Sequence, residues 1–213
     1  MKYVVIDVET TGIDPLDNQI LEFGAVIEDS NTCLPIEEIP KFKCVVQYDS
    51  YHGSPIAINM NARIFKLLAE HDSIKEVFSR QYFAEKHNIL KPFQVPGKFL
   101  EWIIKHDKSM LDSPLNIAGK NYAAFDKLFL DEVDGWQDRV KCERRFLDPS
   151  MIHVDWKNDK KLGLYHFVFL KLTRGCPLSE IEFAPTVDVY FADNLYFFYR
   201  YQTYSSLHSL YDY

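Results

Sequence analysis

Val5-Ile6-Asp7-Val8-Glu9-Thr10-Thr11-Gly12 carries two carboxylates two positions apart at the end of an apolar segment. On a β-strand such residues point to the same face, so Asp7 and Glu9 would leave the sheet together beside a turn at Gly12. Paired acids in that position are one way to build a divalent-metal site. A plainer reading makes the segment an edge strand with two solvated acids. Against it stands the run Tyr3-Val4-Val5-Ile6, which is continuously apolar and suits a strand buried on both faces. Acids at the end of a buried strand need partners.

The chain has 213 residues, 47% of them hydrophobic, enough for one well-buried domain but cramped for two. Lys and Arg total 24 against 31 Asp and Glu, giving a formal net charge of −7. That balance lacks the basic footprint of a protein that coats nucleic acid. It leaves room for an enzyme that grips one terminus through metal ions, where only local positive charge is needed. Cys33, Cys44, Cys142 and Cys176 are scattered without a C-x-x-C pair, which argues against a zinc site or a disulfide framework and fits reduced thiols. The N-terminal apolar run is broken by Asp7 and too short for a signal peptide, and no later stretch reaches membrane-spanning length. The expectation is a cytoplasmic protein.

Strand-like and helix-like pieces alternate. The first strand runs through Val8, the second covers Gln19 to Ile27 and a third includes Phe42 to Gln47, giving a meander. Helices are predicted at Ala62 to His71, with Ile64, Leu67 and Leu68 at helical spacing, and at Gly97 to His106, with Phe99, Leu100, Ile103 and Ile104 inward. Leu115 to Ala118 reads as a short buried strand, Tyr122 to Leu130 as a helix and Phe146-Leu147 as a last strand. Leu162 to Thr173 and Asp188 to about Tyr201 close the fold as helices, so the domain is expected over 1–201 with a frayed tail at 202–213.

Two further acids stand out. Asp126 falls in Asn121-Tyr122-Ala123-Ala124-Phe125-Asp126, just after the strand at Leu115 to Ala118. Ligands gather outside strand ends in open sheets, so Asp126 could face the same crevice as Asp7 and Glu9. Taken alone, it reads better as a helix-surface acid favoured by the N-terminal dipole. Asp193 sits in Thr186-Val187-Asp188-Val189-Tyr190-Phe191-Ala192-Asp193, among mostly apolar and aromatic neighbours. It lies either on a narrow solvated stripe or toward a site that wants charge.

With these residues in order, the chain resembles the DEDD-type 3'-5' exonucleases of the DnaQ-like group, which contains proofreading exonucleases and RNase T. The family's first motif, D-x-E-T-T-G, is matched by Asp7 to Gly12, its second, ending N-x-x-x-F-D, by Asn121 to Asp126, and its last aspartate by Asp193. The resemblance spans residues 1 to about 200, and Ile-Leu-Glu-Phe-Gly-Ala-Val after the first motif strengthens it. It implies an α/β protein of ribonuclease-H-like fold, a central mixed sheet flanked by helices. It also implies that Asp7, Glu9, Asp126 and Asp193 bind two Mg2+ or Mn2+ ions. Single-stranded DNA or RNA 3' ends would be the substrate, with nucleoside 5'-monophosphates released, and some members work within a polymerase or as a homodimer. Two metals about 3.5–4 Å apart can generate the hydroxide, align it and stabilise the leaving oxygen. Hard oxygen ligands suit magnesium, and clustered carboxylates repel without an ion.

The chain departs from the family at position 188. The common branch has histidine five residues before the last aspartate, and here Asp188 makes the pattern D-x-x-x-x-D. The other branch places tyrosine four before the acid, where Val189 stands, with Tyr190 one residue out of phase. Histidine, with a pKa of about 6.5, suits a general base better than aspartate at about 3.9. A positioned base is worth roughly 100- to 10,000-fold, so a slow enzyme is expected, with a silent relative that binds nucleic-acid ends or a protein as the alternative. Asp188 could equally coordinate a metal, cap the helix or be a change introduced to disable the enzyme. His153 and His166 stand off the motif position.

By resemblance, Thr10, Thr11 and Gly12 lie along the terminal nucleotide, and Asn59, Met60 and Asn61 belong to a substrate-side loop. As plain structure they are a turn and a helix N-cap. Phe125 is a candidate contact that also reads as core, as do most of the 16 Phe and 13 Tyr, of which one or two could stack on bases. Lys120, Lys141, Arg144, Arg145 and the Lys157, Lys160, Lys161 group are candidate phosphate contacts or plain solvated charge.

Overall fold

The computed structural model describes residues 1–148 apart from Cys33 and Ile36. The expected helices at 162–173 and 188–201, the tail, and Asp188 and Asp193 with them, lie outside the described residues.

The apolar run at the N-terminus forms β1 (Lys2–Thr10), with Val4 and Ile6 fully buried and Tyr3 and Val5 nearly so. Burial on both faces follows from its place in the sheet. β1 pairs antiparallel with β2 (Ile20–Asp29) on one side and parallel with β5 (Leu115–Ala118) on the other. β3 (Lys41–Val46) extends the meander beyond β2, two-residue β4 (Ile89–Leu90) forms one border, and β6 (Cys142–Leu147) forms the other. The order β4-β3-β2-β1-β5-β6 is a mixed sheet of ribonuclease-H-like arrangement, as expected.

Each face of the sheet has its own cover. Val4, Ile6 and Val8 pack with Phe23, Phe42 and the helices α4 (Val95–Asp107), α5 (Asp126–Asp131) and α6 (Trp136–Arg139). Phe99 of α4 is the hub, its ring 5.3 Å from Phe23 and 5.4 Å from Trp136. The predicted phase of this helix needs correction: Phe99 and Ile103 are buried, but Ile104 is 48% exposed and Trp102 takes the inward place. On the opposite face, Ile64 and Leu68 of α2 (Ala62–Ser73) cover Leu21, Val45 and Ile89.

Among the described residues four elements were not legible as such: α1 (Pro55–Met60), α3 (Val77–Lys86), α6 and β4. Neither α1 nor α3 buries a residue, so neither carries an apolar stripe to read. The helix predicted from Tyr122 begins instead at Asp126. Asn121 adopts a left-handed φ of 55°, and residues 121–125 form turns before the helix starts. That delay puts Asp126 at the first helical position.

Candidate active site

Asp7 and Glu9 emerge on one face at the carboxyl end of β1, as their i, i+2 spacing requires, and both are half-buried. The strand is bent there by a β-bulge. Glu9 stands opposite Glu22 and Thr10 opposite Ile20, leaving Leu21 extra on β2. The turn that follows is clamped by hydrogen bonds. The Thr10 hydroxyl donates to the Gly12 carbonyl at 2.6 Å, and the Gln19 N–H donates to the Thr11 hydroxyl at 2.9 Å. Ser54 N–H donates to the Thr11 carbonyl at 2.8 Å. Gly53, at φ 156°, approaches so closely that a Cβ there would lie 2.2 Å from that same oxygen.

Asp126 arrives from the other side. It is 2% exposed, and its Oδ1 accepts the Val8 N–H at 2.9 Å, so it is not the helix-surface acid that its local sequence favours. Parallel pairing of β5 with β1 makes the meeting possible, because the chain leaves β5 at the same end where β1 delivers its acids. Gly119 lets the turn pass close to β1. A Cβ at Gly119 would stand 2.8 Å from the Ile6 carbonyl oxygen.

Crowded carboxylates in a desolvated place hold protons. Burial, then the charges of Asp126 and Glu9, raise Asp7 well above the usual carboxylate range. Glu9 is pushed up to about 7 by burial and by Glu22, against a hydrogen bond from Asn61 and the charges of Arg63 and Lys43. Asp126 also rises to about 7, chiefly by burial, despite the Val8 N–H that favours its charged form. Lys120, half-buried beside Asp7, is lowered by desolvation while Asp7 and Asp148 hold its charge. Three acids driven toward neutrality by burial, and secondarily by neighbouring carboxylates, fit a donor set completed by a divalent cation. Among the described residues no three acidic, His or Cys side chains close around an ion unaided, and Asp193 lies outside those residues.

A cavity of about 670 Å³ opens beside this cluster, lined by Glu9, Thr10, Gly12, Met60, Asn61 and Phe125 together with Ile13 and Ile56. Five of the predicted substrate residues therefore share one hollow. Thr11 does not join them, being fully buried in the turn, and Asn59 is exposed on α1 outside it. Asn61 stands at the N-cap of α2, but its side chain does not cap. Its Nδ2 donates instead to the carbonyls of Thr10 and Ala57, both at 3.2 Å. Sequence reasoning gave no role to Glu22, 1% exposed, although its register opposite Glu9 is a consequence of the hairpin.

Among the described residues no helix is long and apolar enough to cross a membrane. Comparison with solved structures gives exonuclease I from Methylocaldum szegediense at 19% identity and TM-score 0.37, covering 61% of this chain and 22% of that one. E. coli exonuclease I in complex with a dT13 oligonucleotide matches at 16% identity and TM-score 0.38, covering 66% and 27%. The chain thus spans about a quarter of the length of these structures. No curated protein compared with it matches. The exonuclease family model named for RNase T, whose members use divalent metal ions, matches residues 4–135, which include Asp7, Glu9 and Asp126 but stop short of Asp188 and Asp193. That match takes in more than half of the sequence, and the chain belongs to the RNase T exonuclease family.

Proposed function

We propose that the chain is a metal-dependent 3'-5' exonuclease that shortens single-stranded DNA or RNA from the 3' end and releases nucleoside 5'-monophosphates. The observation that carries this reading is the hydrogen bond from Val8 N–H to Asp126 across 118 residues of chain, which joins Asp126 to the strand end bearing Asp7 and Glu9. Asp193, on a domain reaching about residue 201, completes the set. Together the four acids would hold two ions, Mg2+ or Mn2+, and such ions supply an activated water and neutralise charge on the phosphate and leaving oxygen.

The chain's own groups orient the substrate. Met60, Ile13 and Phe125 offer apolar surface to the terminal base, while the Thr10 to Gly12 turn sets main-chain groups beside the sugar. Thr11 acts by bracing that turn, and Asn59 lies at the rim. Lys120 adds a positive charge next to Asp7. Asp188, where the family has its histidine, is a weak proton acceptor and makes the reaction slow. The same aspartate favours a second reading, a silent relative that only binds nucleic-acid ends.

A 5'-labelled oligonucleotide with manganese separates the two. The expected result is a ladder shortened from the 3' end, absent in Asp7→Ala and roughly 100-fold or more faster in Asp188→His. No cleavage by any of the three proteins overturns the exonuclease reading.

A further inference from the structure

A second cavity, of about 450 Å³, lies one strand away from the acidic cluster. Its floor is Glu22, and its walls carry Lys43, Arg63, Lys66, Lys86 and His87. Among the described residues four cations there face two acids, Glu22 and Glu70, in a chain whose formal net charge is −7. One sign of charge gathered in a concave, protein-walled space concentrates the field and costs self-repulsion, so the arrangement calls for an anion.

The cavity is built rather than incidental. Arg63, Lys66 and Glu70 share one face of α2 at spacings of three and four. Lys43 comes from β3 and is fixed with Arg63 by the buried Glu22 carboxylate, at 3.2 Å and 3.1 Å. Lys86 and His87 close α3, and Asn88, at φ 48°, ties that corner to the sheet by donating its side-chain N–H to the Lys43 carbonyl at 2.6 Å. Glu22 absorbs charge from Lys43 and Arg63, whereas Lys66 and Lys86 have no acidic partner among the described residues.

Its placement says which anion. Glu9 lines the first cavity, and Glu22, its neighbour across the β1–β2 ladder and on the same face, floors the second. Adjacent strands lie about 4.8 Å apart, so the two cavities flank the acids within the reach of one extended polyanion. We infer that the Lys43, Arg63, Lys66, Lys86 cavity binds backbone phosphates of the nucleic-acid strand, upstream of the end held at Asp7 and Glu9. The inference rests on the exonuclease reading for its substrate. It extends the contact surface of that site to α2 and the end of α3.

The test uses Lys66→Ala/Lys86→Ala, two exposed positions outside the acidic cluster. Binding of a labelled single-stranded oligonucleotide is followed by fluorescence anisotropy across a salt series, with calcium as the divalent ion. Each lost phosphate contact should lower the slope of log K against log salt by about 0.7, so the double variant should lose about 1.4 and bind several-fold more weakly at low salt. A dinucleotide without a 5'-phosphate, whose single phosphate is the one held at the acids, should bind both proteins equally. An unchanged slope for the long strand, or an equal loss for the dinucleotide, overturns the inference. Hydrolysis of the p-nitrophenyl ester of thymidine 5'-monophosphate with manganese reports separately on the acidic cluster. Turnover of the ester with an unaltered salt slope sinks the cavity alone, and no turnover with a reduced slope sinks the exonuclease reading alone.

Discussion

At the scale of single residues, the site depends on side chains whose partners are far away in sequence. Asn61 is an example: spaced like an N-cap, it spends its amide on the Thr10 and Ala57 carbonyls and on Glu9. Asn61→Ala leaves a buried carbonyl short of a donor, at a cost of about 1–3 kcal/mol, read as a lower urea midpoint. The same change removes a hydrogen bond that favours ionised Glu9, so the Glu9 pKa should rise further, visible in a pH titration by NMR. An unshifted Glu9 would show that Asn61 serves the backbone alone. Asp7 and Glu9 were legible because a two-residue spacing on a strand fixes their face. Asp126 was not legible from its own surroundings, since an acid opening a helix is ordinary and only the pairing of β5 with β1 buries it. The family motif supplied what local physics could not.

At the scale of elements, long apolar runs announced themselves and short or polar ones did not. β1, β2, β3 and β5 fall where alternation and apolar runs put them, within a few residues. α3 presents Val77, Phe78 and Tyr82 to solvent and packs Phe83 and Ala84 against the core, so its hydrophobic residues draw no single inward stripe. For α4 the sequence marks the helix but leaves its rotation open, because Leu100, Trp102, Ile103 and Ile104 offer two apolar stripes. The structure chooses the stripe that seats Phe99 among Phe23, Phe42 and Trp136. Phe99→Ala should therefore cost about 3–5 kcal/mol in urea unfolding, with Ile104→Ala, at an exposed position, within about 0.5 kcal/mol of the parent. Equal losses would return the helix to its predicted phase.

At the scale of the whole molecule, the raised acids make metal-free stability depend on pH. Glu9 and Asp126 each titrate near 7 when folded, against about 4 in an unfolded chain. Between those values the folded protein holds more protons than the unfolded one, so its stability falls as pH rises through the window. Asp107, held down to about 2 by hydrogen bonds from Lys2 and Ser109, acts below the window and leaves that slope untouched. A divalent ion replaces the protons, so magnesium should raise the melting temperature more at pH 8 than at pH 5. Asp126→Asn should flatten the metal-free slope. Calorimetry across pH 4 to 8 checks both, and a flat profile for the parent protein would contradict them.

The two borders of the sheet carry a last consequence. β4 is only two residues long, and β6 sets Glu143, Arg144 and Arg145 outward on a mostly exposed strand. A stub and a row of mixed charge give a second copy little to zip onto, so among the described residues neither rim invites fibril growth at high protein concentration.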